Sequence, residues 1–145
     1  MRYLYLDTTS NFLYTGIVEN DNLLCDRKIR FDKDLSTMAL TTMVDMMNEV
    51  NIKPNDIDKI ILVNGPGSFT GCRIGITIAK TYAWSLNIPI TTITSLEAMA
   101  LTSHEYDYYV PLLDARRDYV FAGIYDSDNN QVMKNQYVKK SVLET

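Results

Sequence analysis

The sequence predicts an α/β fold in two parts: a first lobe built on a mixed sheet, and a shorter, β-rich second lobe that opens with a similar hairpin. Three observations carry this. Over residues 1–100 the segments read β-β-β-α-β-α-β-α, a meander followed by parallel strands reached through helical crossovers. Beyond residue 100 helical periodicity gives way to the β-rich runs "YVPLLD", "YVFAGIYDSD" and "QVMKNQYV". Finally, "LYLDTTSNFLYTGIV" (4–18) is echoed by "PLLDARRDYVFAGIY" (111–125), with Asp7 and Asp114 each ending a strand and Gly16 and Gly123 each nine residues later. The expected division is a lobe over 1–103 and an incomplete or shortened lobe over 104–145.

Each element has a local reason. "RYLYLD" (2–7) and "FLYTGIVEN" (12–20) are aromatic and β-branched runs joined by the polar "TTSN", which reads as a hairpin, and "NLLCDRKIRF" (22–31) adds a third antiparallel strand. Residues 35–50 switch to helical spacing: Ala39, Met43, Met46 and Val50 recur at intervals of four, three and four, with Leu40 and Met47 widening the stripe. "NIKPND" breaks that helix and "KIILVN" (59–64) is a short buried strand. A glycine loop follows, then a helix from about Cys72 to Leu86 and a strand at "IPITTI" (88–93). Thr94 and Glu97 have capping-box spacing at the head of a further helix, and "DSDNN" is a hairpin turn in the second lobe.

Composition narrows the function. The chain has 145 residues, 46% hydrophobic and 22% charged, with a formal net charge of −4 and no long basic run, which argues against tight nucleic-acid binding by the chain alone. Two distant cysteines and one histidine make neither a disulfide framework nor a metal spacing, and they fit a reducing cytoplasm. No apolar run reaches the ~20 residues of a membrane span, and no signal-peptide pattern opens the chain. The expectation is a soluble, cytoplasmic protein.

The glycine loop "VNGPGSFTGCRIG" (63–75) is the densest feature. A strand-loop-helix of this kind can offer amides to a phosphate, and the turn at Asp7, Thr8, Thr9 and Ser10 can add hydroxyls, so these residues with Gly65, Gly67 and Ser68 are candidates for a vestigial phosphate site. Against that stand the missing P-loop lysine, the failure of GxGxxG spacing, and the bulky Phe69 at the tip. The same aspartate and threonines make ordinary polar turns. In the helix behind, Gly71, Gly75, Ala79 and Ala83 form a smooth stripe that permits close packing, within the lobe or against a partner. Together with Met43, Met46 and Met47 of the preceding helix, that stripe is the candidate partner interface. A serine triad would depend wholly on His104, and Asp7 with Asp114 could form an acid pair or serve two turns.

Several segments resemble the TsaB family: "NGPGSFTGCRIG", "YLYLDTTS", "TSLEAMA" and "LLDARRDYVFAGIYD", in matching order and covering essentially the whole chain. The resemblance implies a ribonuclease-H-like fold of the actin/Hsp70/sugar-kinase superfamily. It also implies a non-catalytic subunit that dimerises with and activates a TsaD-like transferase, alongside a TsaE-like ATPase. The product would be threonylcarbamoyladenosine at position 37 of tRNAs reading ANN codons. The TsaD transferase holds a metal through a pair of histidines, which a chain with one histidine cannot supply. The resemblance puts the TsaD contact on the first-lobe helices, allows a homodimer when the chain is alone, and gives tRNA contact only through the complex. It requires no cofactor of this chain, leaving ATP or ADP at the complex interface as an alternative. Family members continue beyond the point where this sequence stops. The rival readings are an independent ATP-binding enzyme of the sugar-kinase type and, less favoured, a peptidase.

Overall fold

A computed structural model describes residues 1–31, 34–101 and 106–143. The chain divides into two compact units, Met1–Ile93 and Thr94–Thr145. This places the division after Ile93, where the sequence suggested residue 103. The helix headed by Thr94 belongs with the second unit, because its Leu96 and Ala100 pack with Tyr125 of that unit's central strand.

The first unit carries a five-stranded sheet in the order β3-β2-β1-β4-β5. Strands β1 (Arg2–Asp7), β2 (Phe12–Glu19) and β3 (Asn22–Arg30) form the antiparallel meander, and β4 (Lys59–Val63) and β5 (Ile90–Ile93) run parallel to β1. The parallel strands require crossovers, supplied by helices α1 (Leu35–Glu49) and α2 (Phe69–Leu86). This is the mixed-sheet order of a ribonuclease-H-like lobe. Alternation along β1 and β2 sends Leu4, Leu6, Leu13 and Ile17 to one face, where they meet Ala39, Met43, Met46 and Met47 of α1 and Ile78, Ala79 and Ala83 of α2. The other face carries half-buried Tyr3, Tyr5, Phe12 and Tyr14, with the Lys28 ammonium 4.9 Å from the Phe12 ring centroid. Helix α2 begins one turn earlier than its pattern suggested, because Ser68 caps it by accepting from the Gly71 N–H at 3.1 Å. It ends at Asn87, which takes the left-handed conformation that stops a helix (φ 54°).

In the second unit β8 (Tyr119–Asp126) is central and pairs antiparallel with β6 (Tyr108–Tyr109), β7 (Leu112–Asp114) and β9 (Gln131–Lys139). Two short helices complete it, α3 (Ser95–Ala100) and α4 (Lys140–Leu143). Pro111 splits what the sequence read as one strand into β6 and β7, since proline cannot donate to a ladder. Thr94 caps α3 as its spacing predicted, accepting from the Glu97 N–H at 3.0 Å. Tyr125 is almost fully buried, and its hydroxyl donates to Asn135 Oδ1 at 2.7 Å.

Candidate functional site

The glycine loop and the Asp7–Ser10 turn are built against each other. Asp7 ends β1 and its Oδ1 accepts from both the N–H and the hydroxyl of Thr9, at 2.9 and 2.7 Å. The Thr9 carbonyl then accepts from the Ser68 N–H at 2.8 Å. Thr8, fully buried, donates its hydroxyl to the Gly71 carbonyl at 2.6 Å. Side chains are excluded where the two loops touch: a Cβ on Gly71 would overlap the Thr8 carbonyl oxygen, and one on Gly67 would lie 2.9 Å from Thr9 Cβ. A Cβ added at Gly75 would overlap the Thr8 hydroxyl. Gly65 precedes Pro66 through a cis peptide and has φ 121°, a conformation reserved for glycine.

These contacts bear on the vestigial phosphate site that the sequence suggested. The residues named for it, Asp7, Thr8, Thr9, Ser10, Gly65, Gly67 and Ser68, do come together at one end of the sheet. The donors a phosphate would need from Thr8, Thr9 and Ser68 are, however, engaged within the lobe. Ser10 is exposed and accepts from the Phe12 N–H at 3.2 Å, an ordinary polar turn.

The residues named for the partner interface lie inside the unit. Met43, Met46 and Met47 are 3%, 0% and 4% exposed, and Ala79 and Ala83 are 2% and 5%. With Gly71 and Gly75 they face the lobe's own sheet and turn. The smooth stripe lets α2 press onto Thr8 and β4. What α1 and α2 present outward is a different set. Leu40 and Val44 on α1 are 50% and 55% exposed, and Phe69 and Trp84 on α2 are 75% and 87%. Between the helices runs an apolar groove of about 530 Å³, bordered by Ser36, Leu40, Ile74, Thr77, Ile78 and Tyr82. Sequence reasoning counted Leu40 within the inner stripe and passed over Trp84. The available signal was the lone tryptophan, set three residues after Thr81 and seven after Thr77 on the polar side of α2.

Among the described residues, catalytic geometry is sparse. Asp114 accepts from the Arg116 N–H at 3.1 Å, the same turn contact that Asp7 makes. Burial, aided by the Asp7 carboxylate, pushes the Cys72 thiol up and keeps it protonated at neutral pH. Burial, aided by the Asp56 carboxylate, pushes the Tyr82 phenol up to about 12. His104 lies outside the described residues. Among the described residues no three histidine, cysteine or acidic side chains cluster as a metal would require. No described helix is long and apolar enough to cross a membrane.

Comparison with known proteins places this architecture. A family model described as "TsaD: tRNA N6-adenosine threonylcarbamoyltransferase" matches residues 32–144. The tRNA threonylcarbamoyladenosine biosynthesis protein TsaB of Bacillus subtilis is 37% identical over 142 residues, 95% of this chain. The chain belongs to the TsaB family. The TsaB protein of Haemophilus influenzae is 31% identical across 81% of the chain. The chain spans 62% of the length of the first relative and 51% of the second. Among solved structures, YeaZ from Pseudomonas aeruginosa superposes with a TM-score of 0.82 at 22% identity, over 95% of this chain and 66% of that one. The ethanolamine utilization protein EutJ from Carboxydothermus hydrogenoformans follows at 0.52 and 9%, over 96% of this chain and 52% of that one, a likeness of fold alone. Both likenesses support the fold described above, a mixed five-stranded sheet with two crossover helices followed by an antiparallel second unit.

Proposed function

We propose that this chain acts as the accessory subunit of a threonylcarbamoyladenosine-forming assembly in the cytoplasm. It docks on a TsaD-like transferase and activates it, the product being formed at position 37 of tRNAs that read ANN codons. The observation that carries the reading is the outward side of α1 and α2, where Leu40 borders an apolar groove and Val44, Phe69 and Trp84 are exposed on the same two helices. Exposed apolar side chains on two adjacent helices are what a partner helix pair buries. Two further facts support an accessory role. The loop-to-turn contacts use the donors that a nucleotide phosphate would claim. One histidine in the whole sequence also leaves no pair for a TsaD-type metal. ATP or ADP, if bound, belongs in this reading to the interface of the complex, with a TsaE-like ATPase as the third component. When the transferase is absent, the same groove is free to pair two copies of the chain.

The test is Leu40→Glu. The site is half exposed, so folding stability should stay within about 0.5 kcal/mol of the parent. Complex formation with the cognate TsaD-like protein, followed by size exclusion with light scattering, should weaken about thirtyfold or more. An unaltered stoichiometric complex would remove the groove from the docking surface. The sugar-kinase alternative predicts micromolar ATP binding by the isolated chain.

A further inference from the structure

The second unit is electrically polarised along its hairpin. Of the five lysines and arginines from residue 94 onward, Arg116, Arg117, Lys139 and Lys140 lie at one end, and only Lys134 lies elsewhere. The same end also carries Asp114 and Asp118, which leaves it with a net charge of +2, four cations less two carboxylates. The opposite end is the turn at Asp126–Asn130, with two aspartates and no cation. The basic end is held together by the backbone: Tyr119 pairs with Lys139 across β8 and β9, and the Lys140 N–H donates to the Asp118 carbonyl at 2.8 Å. Both ion pairs among the described residues, Arg2–Glu19 and Arg27–Glu49, are in the first unit. These four cations are therefore not neutralised by a described carboxylate partner.

Aromatic rings are set among the charges. Tyr119 and Tyr137 stack with centroids 4.6 Å apart and planes 11° from parallel, and Phe121 leans on Tyr137 at 5.4 Å. The Lys139 ammonium lies 5.9 Å from the Tyr119 ring centroid. Tyr137 is 55% exposed, so part of its surface is open. Beside the stack is a hollow of about 630 Å³ bordered by Arg117, Asp118, Tyr119, Lys139, Lys140 and Ser141. Cations without an ion-pair partner among the described residues, interleaved with an accessible aromatic stack, suit a ligand that is itself alternately anionic and aromatic, which is the chemistry of single-stranded nucleic acid.

We propose that this end of the β8–β9 hairpin contacts single-stranded RNA, with Arg117, Lys139 and Lys140 on phosphates and a base stacked against Tyr137. The contact goes beyond the accessory role above, in which tRNA reaches this chain only through the complex, and it does not depend on the α1–α2 groove. The chain's net charge of −4 makes the affinity low and strongly dependent on salt.

The experiment uses the chain without any partner, so its failure is separable from a failure of docking. A short fluorescein-labelled oligouridylate is titrated at low salt by anisotropy, with amide shifts followed by NMR. The expected result is binding with shifts confined to residues 116–121 and 137–141. The double variant Lys139→Gln, Lys140→Gln should lower the slope of log K against log salt by about 1.4, since each single-strand phosphate contact contributes about 0.7. Tyr137→Leu should weaken binding about tenfold and leave the slope unchanged, as loss of stacking without loss of charge requires. Absence of binding, shifts located elsewhere, or variants that behave as the parent would each overturn the proposal. Inorganic tripolyphosphate is the control: if it reproduces the same shifts as tightly as the oligonucleotide, the site is one for a small polyanion and the RNA assignment falls.

Discussion

In the first hairpin the aspartate-ended turn is clamped; in the second the corresponding turn is left open. Asp7 and Asp114 make the same contact, each accepting from the N–H two residues on. Beyond that contact the surroundings diverge. Thr8 and Thr9 are buried beneath the glycine loop, which has shed side chains at Gly67, Gly71 and Gly75 to reach them. Arg116, Arg117 and Asp118 take three consecutive left-handed conformations, with φ of 65°, 54° and 63°, and their side chains stay exposed. The pairing differs too. Asp7 faces Tyr14, whereas Asp114 faces Val120 and not Phe121, one residue tighter than the sequence echo implies. A motif repeated in sequence has thus been used once for packing and once for display, and the neighbours decide which.

The contrast makes its largest prediction at Gly71. Gly71→Val drives two methyl groups toward the Thr8 carbonyl, and the first unit should lose about 3 kcal/mol, read from hydrogen exchange of β1 and β4 amides. A loss under 1 kcal/mol would show that the turn can move away and that the clamp is not tight. At the open turn the expected sign reverses. Arg116→Gly relieves a left-handed backbone and should stabilise the second unit by about 1 kcal/mol or less, seen in slower exchange of β8 amides. The smallest effect belongs to the far end of that hairpin. Asp126 is held below the usual carboxylate range, first by the Asn130 N–H and then by the Asn130 side chain and the Asp128 N–H. A depressed folded-state pKa means that this contribution is complete above the ordinary carboxylate pKa and is lost as pH falls through the folded value. The Asn130 amide shift should therefore move only at the acid end, and Asp126→Asn should abolish that movement.

Much of the architecture was legible because it is local. The meander, the two crossover helices, the Thr94 cap and the turn at "DSDNN" each follow from periodicity or from a side chain bonding a backbone group a few residues away. The candidate site was legible only in part. The loop and the aspartate turn were both singled out, with a vestigial phosphate site and a structural turn both left open, since spacing could not show that the two pack against each other. Trp84 and Leu40 were overlooked as a surface for a related reason: a helix with apolar or small residues on more than one side does not say which side the sheet will take.

The amino-acid sequence was sufficient to establish the order of strands and helices, the helix bounds to within a turn, and which family the glycine motif resembles. The direction in which the helix faces point was settled by packing across more than sixty positions of sequence, where Thr8 meets Gly71 and Gly75. Side-chain overlap acts at contact range in space, and so the partner that a glycine makes room for becomes visible when the chain has closed upon it.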